Sequence, residues 1–138
     1  RQLRSAGHAM LLVPVRVDRS PIHGLGIFSV AALAKATPVW RFTPGFDLEL
    51  DPAVLVQHPA HFRRVMLHYG YIDPRLRRFI LCCDDYRFIN HSDRPNVGVN
   101  RDADRFGVDA ASRDIAAGEE LTIDYAQVEG NRPATAAA

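Results

Sequence analysis

The stretch Arg87-Phe88-Ile89-Asn90-His91-Ser92-Asp93-Arg94-Pro95-Asn96 is polar at its centre and flanked by apolar, strand-like runs, Phe79–Cys83 before it and Val97–Asn100 after it. A segment so rich in donors and acceptors, set between buried strands, must find partners for its side chains, because burying an unpaired polar group is costly. Two readings satisfy that demand. One is a structural turn in which Asn and Ser side chains bond to backbone; the other is a binding or catalytic site. His91-Ser92-Asp93 does not spell a hydrolase triad, since three consecutive residues cannot form the chain of hydrogen bonds a triad needs. Asn90-His91-Ser92 matches a glycosylation acceptor by spelling only, as nothing marks the chain as secreted.

Working outward, Gly118-Glu119-Glu120-Leu121-Thr122-Ile123-Asp124-Tyr125 has strand alternation. Leu121, Ile123 and Tyr125 share one face, so Tyr125 is predicted to point inward at the end of a buried row, where its phenol needs a polar partner. An ordinary core tyrosine fits equally. Toward the other end, Gly24-Leu25-Gly26 lacks the third glycine of a dinucleotide fingerprint, with Ser29 in that place, and no lysine makes a phosphate loop. The pair is a turn, or a place where a ligand approaches the backbone closely.

The rest of the chain reads as short strands: Val13–Val17, Ile27–Val30, Val39–Phe42, Phe106–Ala110, Ser112–Ile115 and Glu120–Asp124. Asp51-Pro52 starts a helix and Pro59 opens a second, whose Phe62, Val65, Met66 and Tyr69 fall on one apolar face before a stop at Gly70. The sum is an α+β, mostly β single domain over residues 10–126, with a loose arm at 1–9 and a tail at 127–138. The balance of 17 Lys+Arg against 16 Asp+Glu excludes a strongly basic nucleic-acid coat, and 47% hydrophobic residues exclude wholesale disorder. No apolar run approaches the ~20 residues a membrane helix needs, and no signal peptide is evident. Adjacent Cys82 and Cys83 are expected to be one buried and one outward thiol in a reducing cytoplasm. His58, His61 and His68 lack the Cys or acid support of a metal site, so no metal is expected.

Three stretches together, Ser20–Phe28, Arg87–Asn96 and Gly118–Tyr125, give the chain a resemblance to the SET-domain protein methyltransferases from about Leu12 to Ala126. The resemblance implies a β-rich fold of several short sheets with one or two short helices and a C-terminal pseudoknot, in which threading brings Asn90 and His91 beside Tyr125. It also implies an S-adenosylmethionine-dependent methyltransferase acting on a lysine side chain of a protein or peptide. By the same carry-over, backbone at His23, Gly24, Leu25 and Gly26 and groups on Phe88, Asn90 and His91 hold the cofactor, and Tyr125 is the catalytic residue. Tyr69 stands where the family often has a tyrosine near the cofactor or the lysine channel, although its helix periodicity equally suits a core residue.

The chain departs from the family pattern at two places. Phe42-Thr43-Pro44-Gly45 stands where many members have Tyr-x-Gly, so a hydroxyl near the target amine is missing. Asp93 replaces a cysteine and none follows Tyr125, so the zinc-binding cap of those members cannot form; the tail, a second copy of the chain or the substrate must close the channel. Asp47-Glu49, Asp84-Asp85 and Glu119-Glu120 are candidate acidic walls for a basic peptide. An alternative is a catalytically weak or inactive SET-fold module that binds cofactor or peptide. A third, weaker reading takes Arg63, Arg64, Arg75, Arg77 and Arg78 as a nucleic-acid face, against solvated helix and loop surface. Neither nucleic acid nor a membrane is an expected partner.

Overall fold

Proline and glycine interrupt the apolar alternation every few residues, so no strand can grow long, and the described chain builds ten short strands in three sheets. The structure, a computed structural model, describes residues 11–129; the arm at 1–9 and the tail beyond 129 lie outside the described residues. Strands β1 (Val15–Arg19) and β2 (Leu25–Ser29) form an antiparallel hairpin. β3 (Pro38–Arg41) leads to β4 (Leu48–Leu50), and then to helices α1 (Pro52–Val56) and α2 (Ala60–Tyr69). β5 (Tyr71–Asp73) and β6 (Arg78–Leu81) join β4 in a three-stranded sheet of order β4-β6-β5.

The third sheet carries the segment that opened the sequence analysis. A 3-10 turn, Asp85–Phe88, precedes β7 (Asn90–His91), β8 (Val97–Asn100) and β9 (Val108–Ala111). The chain then returns as β10 (Thr122–Ile123) and ends its described part in α3 (Tyr125–Glu129). The order is β3-β9-β8-β10-β7, so the latest strand lies parallel between two strands that precede it, with Thr122 opposite Asn90 and Ile123 opposite both His91 and Val97.

Asn96 holds that insertion. Its side-chain amide donates to the Glu120 carbonyl at 2.8 Å and its carbonyl oxygen accepts the Thr122 N–H at 2.9 Å. A two-residue parallel strand offers few ladder bonds, so a side chain supplies the remainder. Ile27, Val39, Trp40, Ile80, Val97, Leu121 and Ile123 belong to one buried apolar cluster.

Several expectations need correction. Ser112–Ile115 is not a strand: Ile115 makes one bridge to Leu33, while Ser112, Arg113 and Asp114 are exposed and the Asp114 carboxylate accepts the Lys35 N–H. Helix α2 begins and ends where Pro59 and Gly70 predict, but none of its residues is buried, and Phe62 and Val65 stay 39% and 53% exposed. Helical period shows that a helix has two faces, not what covers them. Residues 127–129 are not tail; they continue α3, and Val128 packs on the core. The two thiols divide as expected, Cys82 buried and Cys83 exposed. Among the described residues no helix is long and apolar enough to cross a membrane.

Replacing Asn96 with alanine strands a buried N–H and a buried carbonyl, each costing ~1–3 kcal/mol. The Asn96→Ala variant is expected to lose roughly 3 kcal/mol of stability in urea denaturation, about the sum of two modest penalties.

Candidate functional site

Gly24 sits in the left-handed region at φ 47° and ends the turn that Ser20 opens, where Ser20 N–H bonds to the Gly24 carbonyl. Gly26 follows on β2, and a Cβ placed there would stand 2.7 Å from Glu120 Oε2 and 3.1 Å from Asn90 Nδ2. A side chain at this position would push the Glu120 carboxylate and the Asn90 amide out of their present places. Asn90 Nδ2 lies within hydrogen-bond distance of three acceptors: the His23 carbonyl at 3.1 Å, the Leu25 carbonyl at 3.0 Å and Glu120 Oε2 at 3.1 Å. Glu120 also accepts from the Ser20 hydroxyl. The glycine turn and the Asn-His strand, 65 or more residues apart in sequence, are thus in direct contact.

Tyr125 joins the same strand from its other end. The Tyr125 hydroxyl donates to the Ile89 carbonyl at 2.7 Å, and its backbone N–H donates to His91 Nδ1 at 3.1 Å. His91 therefore accepts at Nδ1 and carries its proton on Nε2, which lies 3.0 Å from Asp93 Oδ1. The rings of His91 and Tyr125 are 5.3 Å apart. Tyr125 is half-buried and opens α3 rather than ending a strand, so the inward row predicted for Leu121, Ile123 and Tyr125 stops at Ile123. Tyr69 and Phe88 meet edge to face at 5.9 Å, and the Arg87 guanidinium lies over both rings. The His23 side chain is exposed; its carbonyl accepts from Asn90 Nδ2 and its backbone N–H donates to Ser20 Oγ at 3.3 Å.

Beside Tyr125 lies a cavity of about 70 Å³ whose wall includes Trp40, Tyr69, Tyr71, Tyr86, Asp109 and Tyr125. Of the residues singled out in the sequence, Tyr69 and Tyr125 line it, whereas the glycine turn, Phe88, Asn90 and His91 do not. Asp109 sits on β9 opposite Trp40 of β3 and is 4% exposed. Burial pushes its carboxyl up to about 7, against a hydrogen bond from the Tyr86 hydroxyl that favours the charged form. Burial likewise raises the phenols of Tyr71 and Tyr86 and the thiol of Cys82 well above their ordinary values.

A family model for the SET domain matches residues 24–126, which contain the glycines, the Asn-His strand and Tyr125. The chain belongs to the SET-domain family. Among solved structures, a Plasmodium falciparum protein described as a candidate histone methyltransferase resembles it with a TM-score of 0.57 at 20% identity, covering 83% of this chain and 95% of that one. That likeness supports the SET fold. No curated protein sequence matches the chain.

Most of the acids expected to form walls on this SET domain are committed elsewhere; Asp85 opens the 3-10 turn. Asp47 is buried and accepts the Thr43 and Cys83 N–H groups, and Asp84 accepts from Leu11 and Tyr86. Glu49 pairs with Arg78 and Arg105, and Glu119 with Arg113. Two functional candidates escaped the sequence reading. Glu120 looked like one of a pair of surface acids, and its place beside Asn90 depends on the strand insertion. Asp109 was visible as an acid between Val108 and Ala110 inside an apolar strand, which is an available signal for a buried charge.

The raised Asp109 carboxyl makes stability depend on pH. Unfolded, an aspartate releases its proton near 3.9, but the folded protein holds it to about 7. The stabilisation from this group is complete below pH 4 and is lost as pH rises through 7. Asp109→Asn is expected to match the wild type near pH 4 and to exceed it by on the order of 4 kcal/mol at pH 8, read from denaturant midpoints at both values.

Proposed function

We propose that this SET domain is an S-adenosylmethionine-dependent methyltransferase that modifies a lysine side chain of a protein or peptide. The observation that carries the reading is the convergence of the glycine turn, Asn90 and Tyr125 around one two-residue strand. The fit to the cofactor can be tested on the donor set. Three acceptor oxygens, two carbonyls and the Glu120 carboxylate, surround the Asn90 amide nitrogen, which has only two hydrogens to give. An acceptor surplus of this kind suits the α-ammonium group of S-adenosylmethionine. His23, Leu25, Gly26, Glu120 and Asn90 would hold that end, with His91, Phe88 and Tyr69 toward the remainder.

When bound, S-adenosylmethionine would supply an electrophilic methyl group whose in-line transfer to an unprotonated amine releases a neutral thioether. A lysine with an ordinary pKa near 10.4 needs ~4.6 kcal/mol to reach that neutral form at pH 7. The protein's part is to desolvate the amine, orient its lone pair and remove its proton. Tyr125 is the orienting group in this scheme: its hydroxyl is fixed on the Ile89 carbonyl, so two oxygens of known position mark where a nitrogen is aligned.

Tyr125→Phe removes the hydroxyl and leaves the ring. Calorimetry with S-adenosylhomocysteine should give unchanged affinity, while methyl transfer to a protein panel, followed by mass spectrometry, should fall roughly 10²-fold or more. Unchanged turnover rejects the role of Tyr125. Binding without transfer in the wild type identifies a cofactor-binding module instead.

A further inference from the structure

Asp109 is the one carboxylate of the cavity wall that is buried without a cationic partner in contact. Its only side-chain hydrogen bond among the described residues comes from the Tyr86 hydroxyl. Trp40 is stacked on Tyr86 at 5.3 Å, and its indole N–H is buried with no partner there. A fold does not gain from leaving a carboxylate and an indole N–H incompletely paired in one wall; such a wall is better explained by a ligand that completes it. The other walls are aromatic, from Tyr69, Tyr71 and Tyr125, which present π faces to a cation.

The size agrees. One water-sized group needs roughly 10–15 Å³ on this scale, so about 70 Å³ admits about five such groups, the length of a butylammonium. Of the acids considered for peptide binding, Asp47, Glu49, Asp84, Glu119 and Glu120 already have partners, whereas Asp109 faces this cavity with a single hydroxyl donor.

Resting on the methyltransferase reading, we propose that Asp109 is the general base of the reaction: the substrate ammonium enters this cavity, Asp109 takes one proton from it, and Tyr86 positions the carboxylate. The balance is direct. The N–H bond breaks toward Asp109, leaving a neutral amine with its lone pair and a neutral carboxylic acid. The lone pair forms the N–CH3 bond as the methyl's bond to sulfur breaks, and the leaving sulfur keeps that pair as a neutral thioether. A carboxyl poised near neutrality is matched to this task, being ionised before transfer yet able to keep a proton.

The titratable groups facing Asp109 are Tyr86 of the 3-10 turn, Tyr71 of β5 and Cys82 just after β6, with Arg101 and Asp104 of the β8–β9 loop acting at longer range. His68, Arg87 and Glu129 stand around the same cavity. Of these, Arg101 favours the ionised carboxylate and Asp104 opposes it.

Two measurements on the full chain test the assignment. Trp40 is the sole tryptophan, so the cavity wall carries the only indole N–H resonance of the protein. Titrating n-butylammonium should shift that resonance at pH 8, shift it little at pH 5.5, and leave it unmoved in Asp109→Asn; n-butanol should have no effect on any of them. In methyl transfer, the acid limb of the kcat profile should lie near neutrality for the wild type. For Asp109→Asn it should move toward the amine's own value near 10, with a rate at pH 7.5 lowered ~10²–10⁴-fold. Tyr86→Phe, which keeps the carboxylate, should move the limb to higher pH and preserve the ammonium response at pH 8.5. An indole resonance that ignores the ammonium, or responds equally in Asp109→Asn, overturns the proposal, as does an unshifted limb in that variant. A wild type that binds the ammonium but transfers no methyl group rejects the methyltransferase reading and the base role together, and leaves an ammonium pocket.

Discussion

The side chain of Glu120 touches three things that the sequence keeps far apart: the Ser20 hydroxyl, the neighbourhood of Gly26 and the Asn90 amide. It can do so only because β10, two residues further on, is seated between β7 and β8. That seating is the constraint on which the site depends. Thr122 opposite Asn90 and Ile123 opposite His91 fix the register, and a slip of one residue would exchange the faces of every side chain in the pair. Asn96 removes that freedom by bonding to the backbone on both sides of Leu121.

The same sheet tolerates a group that works against its stability. β9 is covered on both sides, with Val108, Asp109 and Ala111 all buried, and an apolar residue at 109 would satisfy packing without a titrating proton. Asp109 instead holds its proton to near neutrality and costs the fold free energy above that pH. Local violations of this kind concentrate where chemistry is done, because a carboxyl with ordinary solvation is too weak a base for an ammonium. Its neighbours limit the damage: the Tyr86 hydroxyl bonds to it, and Trp40 on Tyr86 keeps that phenol in place.

Much of this was readable in the chain. The strand at Val97–Asn100, the helix between Pro59 and Gly70 and the split of Cys82 from Cys83 follow from period, caps and alternation, which are local properties. The turn of Tyr125 into α3 was not readable, because its place is set by a bond from its N–H to a histidine 34 residues earlier. β4 and β5 were missed for a related reason: each has three residues, too few to display a period, and each exists by pairing with β6. The surface acids misled for the opposite reason. Asp47 and Asp84 look solvated in sequence, but besides local donors the backbone N–H groups of Cys83 and Leu11, 36 and 73 residues away, claim them. Contacts closed over long separations decide the site, and a single chain read along its length has no access to them.

The bond from Ser20 to Glu120 spans 100 residues. Closing so long a loop is entropically expensive and slow, and the loop must close around strands already laid down. During synthesis the Ser20–Glu120–Asn90 cluster therefore forms late: the hairpin, Tyr69, Tyr71 and the Asn-His strand can all emerge from the ribosome before Glu120 and Tyr125 do. A chaperone or an early-folding neighbour that shelters the open gap between β7 and β8 would govern the yield of competent protein, even though it never touches the finished pocket.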